Sequence, residues 1–188
     1  MNKGIIYSLL ILCTSKTLKS NITSIFAKNN LKGRCFTIKN LTIKEENIYS
    51  KDASILLDKL SDSLQTITGN DGRQSFDLSD MKKQNSLFVI ARNERQAPVG
   101  CGAYRPLTEG IAEIKRMYAS FPHTGIGSAI LCYLEKQAKE TGYETIQLET
   151  RKNNLVSISF YLHNGYKITP NYGIYQQRPE AVCFKKIL

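Results

Sequence analysis

Ile111-Ala112-Glu113-Ile114-Lys115-Arg116-Met117-Tyr118-Ala119, followed by Ser120-Phe121-Pro122-His123-Thr124-Gly125-Ile126-Gly127 and then Ser128-Ala129-Ile130-Leu131-Cys132-Tyr133-Leu134-Glu135, is where the periodicity of this chain changes. Residues 111–119 read as a strand. From Ser128 to Thr141, Ile130, Leu131, Leu134 and Ala138 fall on one face and Glu135, Lys136, Lys139 and Glu140 on the other, the pattern of an amphipathic helix. Gly142 stands where such a helix stops. Upstream, Leu87–Arg92 and Val99–Leu107 read as strands, separated from each other and from 111–119 by short turns at Asn93–Pro98 and Thr108–Gly110. Turns that short between successive strands make an antiparallel meander. Downstream, Thr145–Glu149 reads as a strand and Asn154–Asn164 as a helix stopped by Gly165, with closing strands at 166–169 and 180–187. Further upstream, residues 35–43 alternate as a strand. Ile55, Leu56, Leu60, Leu64 and Ile67 recur at helical spacing before Gly69, and residues 69–86 read as a polar loop. The expected fold is α/β in the α+β sense, a mixed and mostly antiparallel central sheet with helices packed on both faces.

Composition narrows the function classes. The 188 residues suit one domain of about 100–150 residues with an extension. A net charge of +10 invites a nucleic-acid reading, but its placement argues against one. Residues 1–34 hold six basic residues and no acid, leaving 20 basic against 16 acidic residues, or +4, in the rest. No interleaving of aromatic and basic residues accompanies the charge, so no nucleic-acid partner is expected. Five cysteines, odd in number, widely spaced and without Cys-x-x-Cys, form neither a metal knuckle nor a disulfide framework. That pattern suits a reducing, cytoplasmic setting, and no metal is expected.

The N-terminus points elsewhere. Met1-Asn2-Lys3 followed by the apolar run Gly4–Cys13 has the form of an export signal, yet is too short to span a bilayer. An export signal, a membrane-surface anchor and a start assigned too far upstream are the three readings, the last favoured by the cytosolic character of the remainder. Residues 1–34 are therefore set apart as an arm, with the domain over residues 35–188.

The chemistry centres on the junction. Thr124-Gly125-Ile126-Gly127-Ser128 offers free backbone N–H groups and the positive end of a helix dipole, which suit a phosphate. A lone Gly-x-Gly is equally a tight turn, and this one lacks the Lys-Ser/Thr of a nucleotide P-loop. The next helix supplies a second motif: Asn154, Ser157, Ile158, Tyr161, Gly165 and Tyr166 stand at relative positions 0, +3, +4, +7, +11 and +12. With the Gly-Ile-Gly loop and its flanking strands, this spacing resembles the GNAT superfamily of acetyl-CoA-dependent N-acetyltransferases. The resemblance covers about residues 35–188 and is strongest from Leu87 onward.

The resemblance implies that strand 111–119 splays from strand 144–150. Pantetheine would pair there with the backbone around Met117, Tyr118 and Ala119. The pyrophosphate would sit on His123, Thr124, Gly125, Ile126, Gly127 and Ser128, with Asn154 and Ser157 along the pantetheine arm. Tyr161 would protonate the CoA sulfur, and Glu113 would take the proton of the amine. Each has an alternative reading: Tyr161 as a core aromatic, Glu113 as a solvent-face residue or a partner of Lys115 or Arg116. Arg105 and Arg116 are either solvated charges or forks for a substrate carboxylate. His163 is expected at the surface. Pro122 replaces the usual Gln or Arg at the loop's start, which bears on how tightly pyrophosphate is held. The implied activity is direct acetyl transfer from acetyl-CoA to a primary amine of a small molecule or peptide, in an assembly compatible with a homodimer and without a stable membrane span. The alternative is a non-catalytic CoA-binding regulatory module of the same fold.

Overall fold

A computed structural model describes Ile38 and residues 40–188. The expectations for residues 1–34 and the start of the 35–43 strand lie outside the described residues. Among the described residues seven strands form one sheet in the order β1-β2-β3-β4-β5-β7-β6. They are β1 (Thr42–Glu45), β2 (Leu87–Arg92), β3 (Pro98–Thr108), β4 (Ile111–Ala119), β5 (Thr145–Arg151), β6 (Lys167–Thr169) and β7 (Ala181–Ile187). Every pairing is antiparallel except β4 with β5. The α-helices among the described residues are α1 (Lys51–Thr68), α2 (Ile126–Glu140) and α3 (Leu155–His163).

The expected 35–43 strand is corrected in position. Asn40 takes a left-handed backbone (φ 67°) and Leu41 N–H closes a turn onto the Ile38 carbonyl, so among the described residues pairing starts at Thr42. Asn tolerates that conformation better than other residues carrying a Cβ, which is why alternation breaks there. Ser50 caps α1 by accepting the Ala53 N–H at 3.2 Å, and Gly69 ends it at φ 71°. The buried face of α1 is Ala53, Leu56, Leu60 and Ser61, so the expected apolar residues Ile55 and Ile67 point outward. The 69–86 loop carries two short 3-10 turns, Arg73–Ser75 and Leu78–Lys82.

Among the described residues the two larger of three buried clusters lie on opposite faces of the sheet. On one face Val89, Val99, Ile114, Ile146, Leu148 and Phe184 pack against Ile130, Leu131 and Leu134 of α2. On the other, Phe88, Ile90, Cys101 and Ala103 pack against Ala53 and Leu56 of α1 with Phe76. Strand alternation assigns neighbouring residues to opposite faces, and in β4 that rule is broken once. Cys101 pairs with Tyr118 but Ala103 pairs with Lys115, so β4 has an extra residue there, and Arg116 sits in it at φ 53°. The bulge places Met117 and Ala119 with the α2 core, whereas Tyr118 packs with the α1 core.

Candidate active site

β4 and β5 pair only over Ile111–Glu113 and Thr145–Gln147. Beyond those residues the two strands run on without partnering each other, and a cavity of about 130 Å³ opens between them. The cavity gathers Arg116 and Met117 from β4, Glu149 from β5, and Asn154, Ser157 and Tyr161 from the start and body of α3. Five of these six were expected from the sequence; Glu149 was not. Ser120 N–H donates to the Val99 carbonyl at 2.9 Å, so by alternation the backbone N–H and C=O of Ala119 face the open side of β4.

His123, Thr124 and Gly125 form an exposed turn before α2, with His123 at φ 62° and Gly125 at φ 83°. Gly125 is the N-cap and no side chain caps the helix. The first N–H groups of α2, on Ile126, Gly127 and Ser128, therefore remain available to an anion. Gly127 lies against Phe160 of α3: a Cβ at that position would sit 3.3 Å from its ring. Asn154 caps α3, its Oδ1 accepting the Ser157 N–H at 3.1 Å, which leaves its Nδ2 for the cavity it lines. His163 is exposed, as expected.

Tyr161 is 7% exposed, its ring packed edge-on to Phe160 and Tyr166 and tilted against Phe184. Among the described residues nothing hydrogen-bonds its hydroxyl. Burial, seconded by the charge of Glu149, pushes the phenol well above its ordinary range, so it stays protonated at neutral pH. Glu149 has no ion-pair or hydrogen-bond partner among the described residues, and burial raises its carboxyl above the ordinary 4.5, against the pull of Lys115 and Arg151.

The base role expected for Glu113 is corrected by its surroundings. Glu113 is wholly buried and does not line the cavity. One of its oxygens accepts from Arg105 Nε at 2.9 Å and Nη2 at 2.8 Å. The other accepts from Tyr172 at 2.9 Å and faces Lys115 Nζ at 3.2 Å. A carboxylate with both oxygens so engaged has no lone pair to offer an incoming ammonium. The solvent-face alternative fails as well, and the partner is Lys115 with Arg105, not Arg116. Arg105 is likewise committed, since it also donates to the buried Asp80, whose other oxygen meets Lys83 at 2.6 Å. It is not free to grip a substrate. Lys115 donates to the Tyr175 hydroxyl, and burial lowers its pKa below 10.5 against the pull of Glu113.

Glu149, Asp80, Tyr172 and Tyr175 are among the residues that sequence reasoning missed, as is Arg178, which lines the cavity from the 170–179 loop. Asp80 and both tyrosines come from stretches read only as loops. Glu149 occupies a polar slot of an alternating strand, and what it faces depends on the parting of a neighbour that no local pattern encodes. Among the described residues no group of three or more His, Cys, Asp or Glu could hold a metal ion, and no helix is long and apolar enough to cross a membrane.

Comparison with known proteins agrees with this fold. An IAA acetyltransferase of Azospirillum brasilense is 28% identical over 152 residues, spanning 79% of this chain and 99% of the relative. A Klebsiella pneumoniae protein assigned to the acyl-CoA N-acyltransferases superposes with a TM-score of 0.68 at 28% identity, over 79% of this chain and 97% of its own. The PaiA N-acetyltransferase of Thermoplasma acidophilum, solved with coenzyme A, shares the fold at a TM-score of 0.59 and 19% identity, over 79% of this chain and 99% of its own. The profile of the Acetyltransferase (GNAT) family matches residues 55–166, and the chain belongs to that family of acetyltransferases.

Proposed function

We propose that the protein moves the acetyl group of acetyl-CoA directly onto a primary amine of a small molecule or peptide, and that the amine enters the β4–β5 cavity from the α1 side. The observation that carries this reading is the parting of β4 from β5 beside Glu149 and Tyr161, two groups suited to opposite halves of one proton inventory. On this reading residues 35–188 are the catalytic domain and residues 1–34 an appended arm.

Acetyl-CoA supplies the acetyl group as a thioester, so a C–N bond forms and a C–S bond breaks. The free N–H groups of Ile126, Gly127 and Ser128 suit the pyrophosphate, and the outward backbone of Ala119 with Met117, Asn154 and Ser157 suits the pantetheine arm. Glu149 accepts a proton from the attacking amine. Tyr161 donates one towards the departing sulfur, and solvent returns the proton from Glu149 to Tyr161. Because Glu149 must be ionised to act, turnover rises as pH climbs through its raised pKa, so the acid limb of kcat/KM lies above 4.5. Glu149→Gln removes that limb and lowers kcat/KM at pH 7 roughly tenfold, water in the open cavity taking over part of the transfer. A limb unchanged in the variant would assign it to another group.

The test of the reading as a whole is cofactor binding at the α2 turn together with transfer to an amine panel. Gly125→Glu places a negative charge and a side chain where a pyrophosphate must approach the backbone. CoA raises the melting temperature of the wild type and of Gly125→Ala, which shares the strain of a Cβ at φ 83°, but not of Gly125→Glu. Stabilisation of Gly125→Glu by CoA would show the turn to be a connection only.

A further inference from the structure

The cations of the cavity are unequally provided for. Lys115 has Glu113 at 3.2 Å and Arg151 has Glu180 at 3.0 Å. Arg105, behind them, is held by Glu113 and Asp80. Arg116 and Arg178 also line the cavity, and neither has a carboxylate within ion-pair distance among the described residues. Arg116 donates to the Gly72 carbonyl at 3.1 Å and lies over the Phe76 ring, 4.8 Å from its centroid. Asp71 acts on it only at longer range and is itself paired with Arg73 at 3.7 Å. Arg178 lies over the Tyr175 ring at 5.8 Å. A half-buried guanidinium without an anion bears an uncompensated desolvation cost, the kind of cost that a ligand's charge offsets.

The backbone gives a second, independent indication. Arg116 holds a left-handed conformation that side chains with a Cβ adopt only under strain, and it does so at the bulge that breaks the alternation of β4. The strain turns this guanidinium to the α1 face, against Gly72 and Phe76. The free N–H groups that suit a pyrophosphate belong to α2, on the opposite face of the sheet. Arg116 thus lies on the acceptor's side rather than the cofactor's phosphate side, and Arg178 lines the same cavity.

We propose that the acceptor is an amine that also carries a carboxylate, and that Arg116, aided by Arg178, binds that carboxylate while Glu149 receives the amine. This rests on the acetyl-transfer reading above. A planar guanidinium fork matches a carboxylate with two parallel hydrogen bonds. The cavity is small enough that such an anchor fixes where the amine end lies.

The experiment compares small amino acids with their carboxamides as acceptors for the full chain with acetyl-CoA at fixed pH and ionic strength. Carboxamides have the less basic amine and so more free nucleophile at pH 7; intrinsic reactivity favours them. The expected result is the reverse, with kcat/KM at least tenfold higher for the carboxylates and the difference in KM. Arg116→Gln erases the preference, Arg178→Gln weakens it, and Arg116→Lys restores part of it. Equal or better use of the carboxamides by the wild type, a preference that survives Arg116→Gln, or a stronger preference for amines bearing a phosphate overturns the inference. If no amine is acetylated while CoA still raises the melting temperature, it is the acetyl-transfer reading that fails. Binding then decides the present inference: with CoA present, amino acids stabilise the wild type beyond their carboxamides and do not stabilise Arg116→Gln, whereas no carboxylate-dependent stabilisation overturns it.

Discussion

Replacing Glu113 with glutamine is expected to cost about 3–5 kcal/mol of stability at neutral pH, the scale of removing one partner from a buried ion pair. The glutamine amide still fits the space, but its oxygen cannot balance Arg105 and Lys115 together. Arg105 keeps Asp80, and so suffers less; Lys115 is left beside the Tyr175 hydroxyl with no anion in contact. The ammonium has one escape, which is to lose its proton. Burial already lowers the Lys115 pKa and Glu113 opposes that shift, so removing Glu113 lowers it further. The unfolded chain, with an ordinary lysine, then holds more protons than the folded one across the window between the depressed value and 10.5. Stability of the variant therefore rises with pH through that window, and its deficit against the wild type narrows at pH 9. Urea unfolding of both proteins at pH 7 and pH 9 measures this directly. A deficit under 1 kcal/mol at pH 7, or one that widens with pH, would contradict the anchoring role. Turnover per folded molecule separates anchoring from proton abstraction: it falls less in Glu113→Gln than in Glu149→Gln.

The same residue marks the boundary between what the sequence discloses and what it does not. Local pattern was enough for the meander, for α2 with its buried Ile130, Leu131, Leu134 and Ala138, and for the Gly-Ile-Gly turn, because each depends on residues within a few positions of one another. The spacing of Asn154, Ser157 and Tyr161 was legible for the same reason: one short helix presents all three to one cavity. Glu113 shows the limit. Its isolation in an apolar strand marks it as unusual, but a lone carboxylate reads the same whether it serves an incoming amine or a cross-strand arginine. The choice turns on Arg105, eight positions away across β3, and on Tyr172, fifty-nine positions away in a segment with no periodicity. Arg116 was legible as a candidate fork only by type. Its isolation from carboxylates and its place in a bulge follow from the register of β3 on β4, which is set by tertiary packing.

Tyr161→Phe is expected to lower kcat by about 10²–10³ with little change in stability, the magnitude of a lost general acid. The two halves of that expectation have different structural sources. The ring makes three aromatic contacts, to Phe160, Tyr166 and Phe184 at 5.1, 5.6 and 5.9 Å between centroids, and phenylalanine keeps all of them. The hydroxyl has no hydrogen-bond partner among the described residues, so its removal leaves no buried donor or acceptor stranded. Melting temperature and the stabilisation by CoA should therefore stay close to those of the wild type. The kinetic loss comes from the leaving sulfur. A thiol has an ordinary pKa near 8.5, while burial and Glu149 hold the Tyr161 phenol above 10. Full proton transfer to a free thiolate would thus run uphill, and the hydroxyl contributes by donating into the sulfur while the C–S bond is still breaking, which limits its worth to about two or three powers of ten. The raised phenol also keeps the alkaline side of the wild-type profile free of a Tyr161 limb below pH 10. Steady-state rates with an accepted amine at pH 7, set beside a thioester with a better leaving group, give the decisive comparison. The variant should recover most of its deficit with the better leaving group, since less negative charge then builds on sulfur. A turnover unchanged by the substitution, or a deficit that ignores the leaving group, would return Tyr161 to the core as a packing residue.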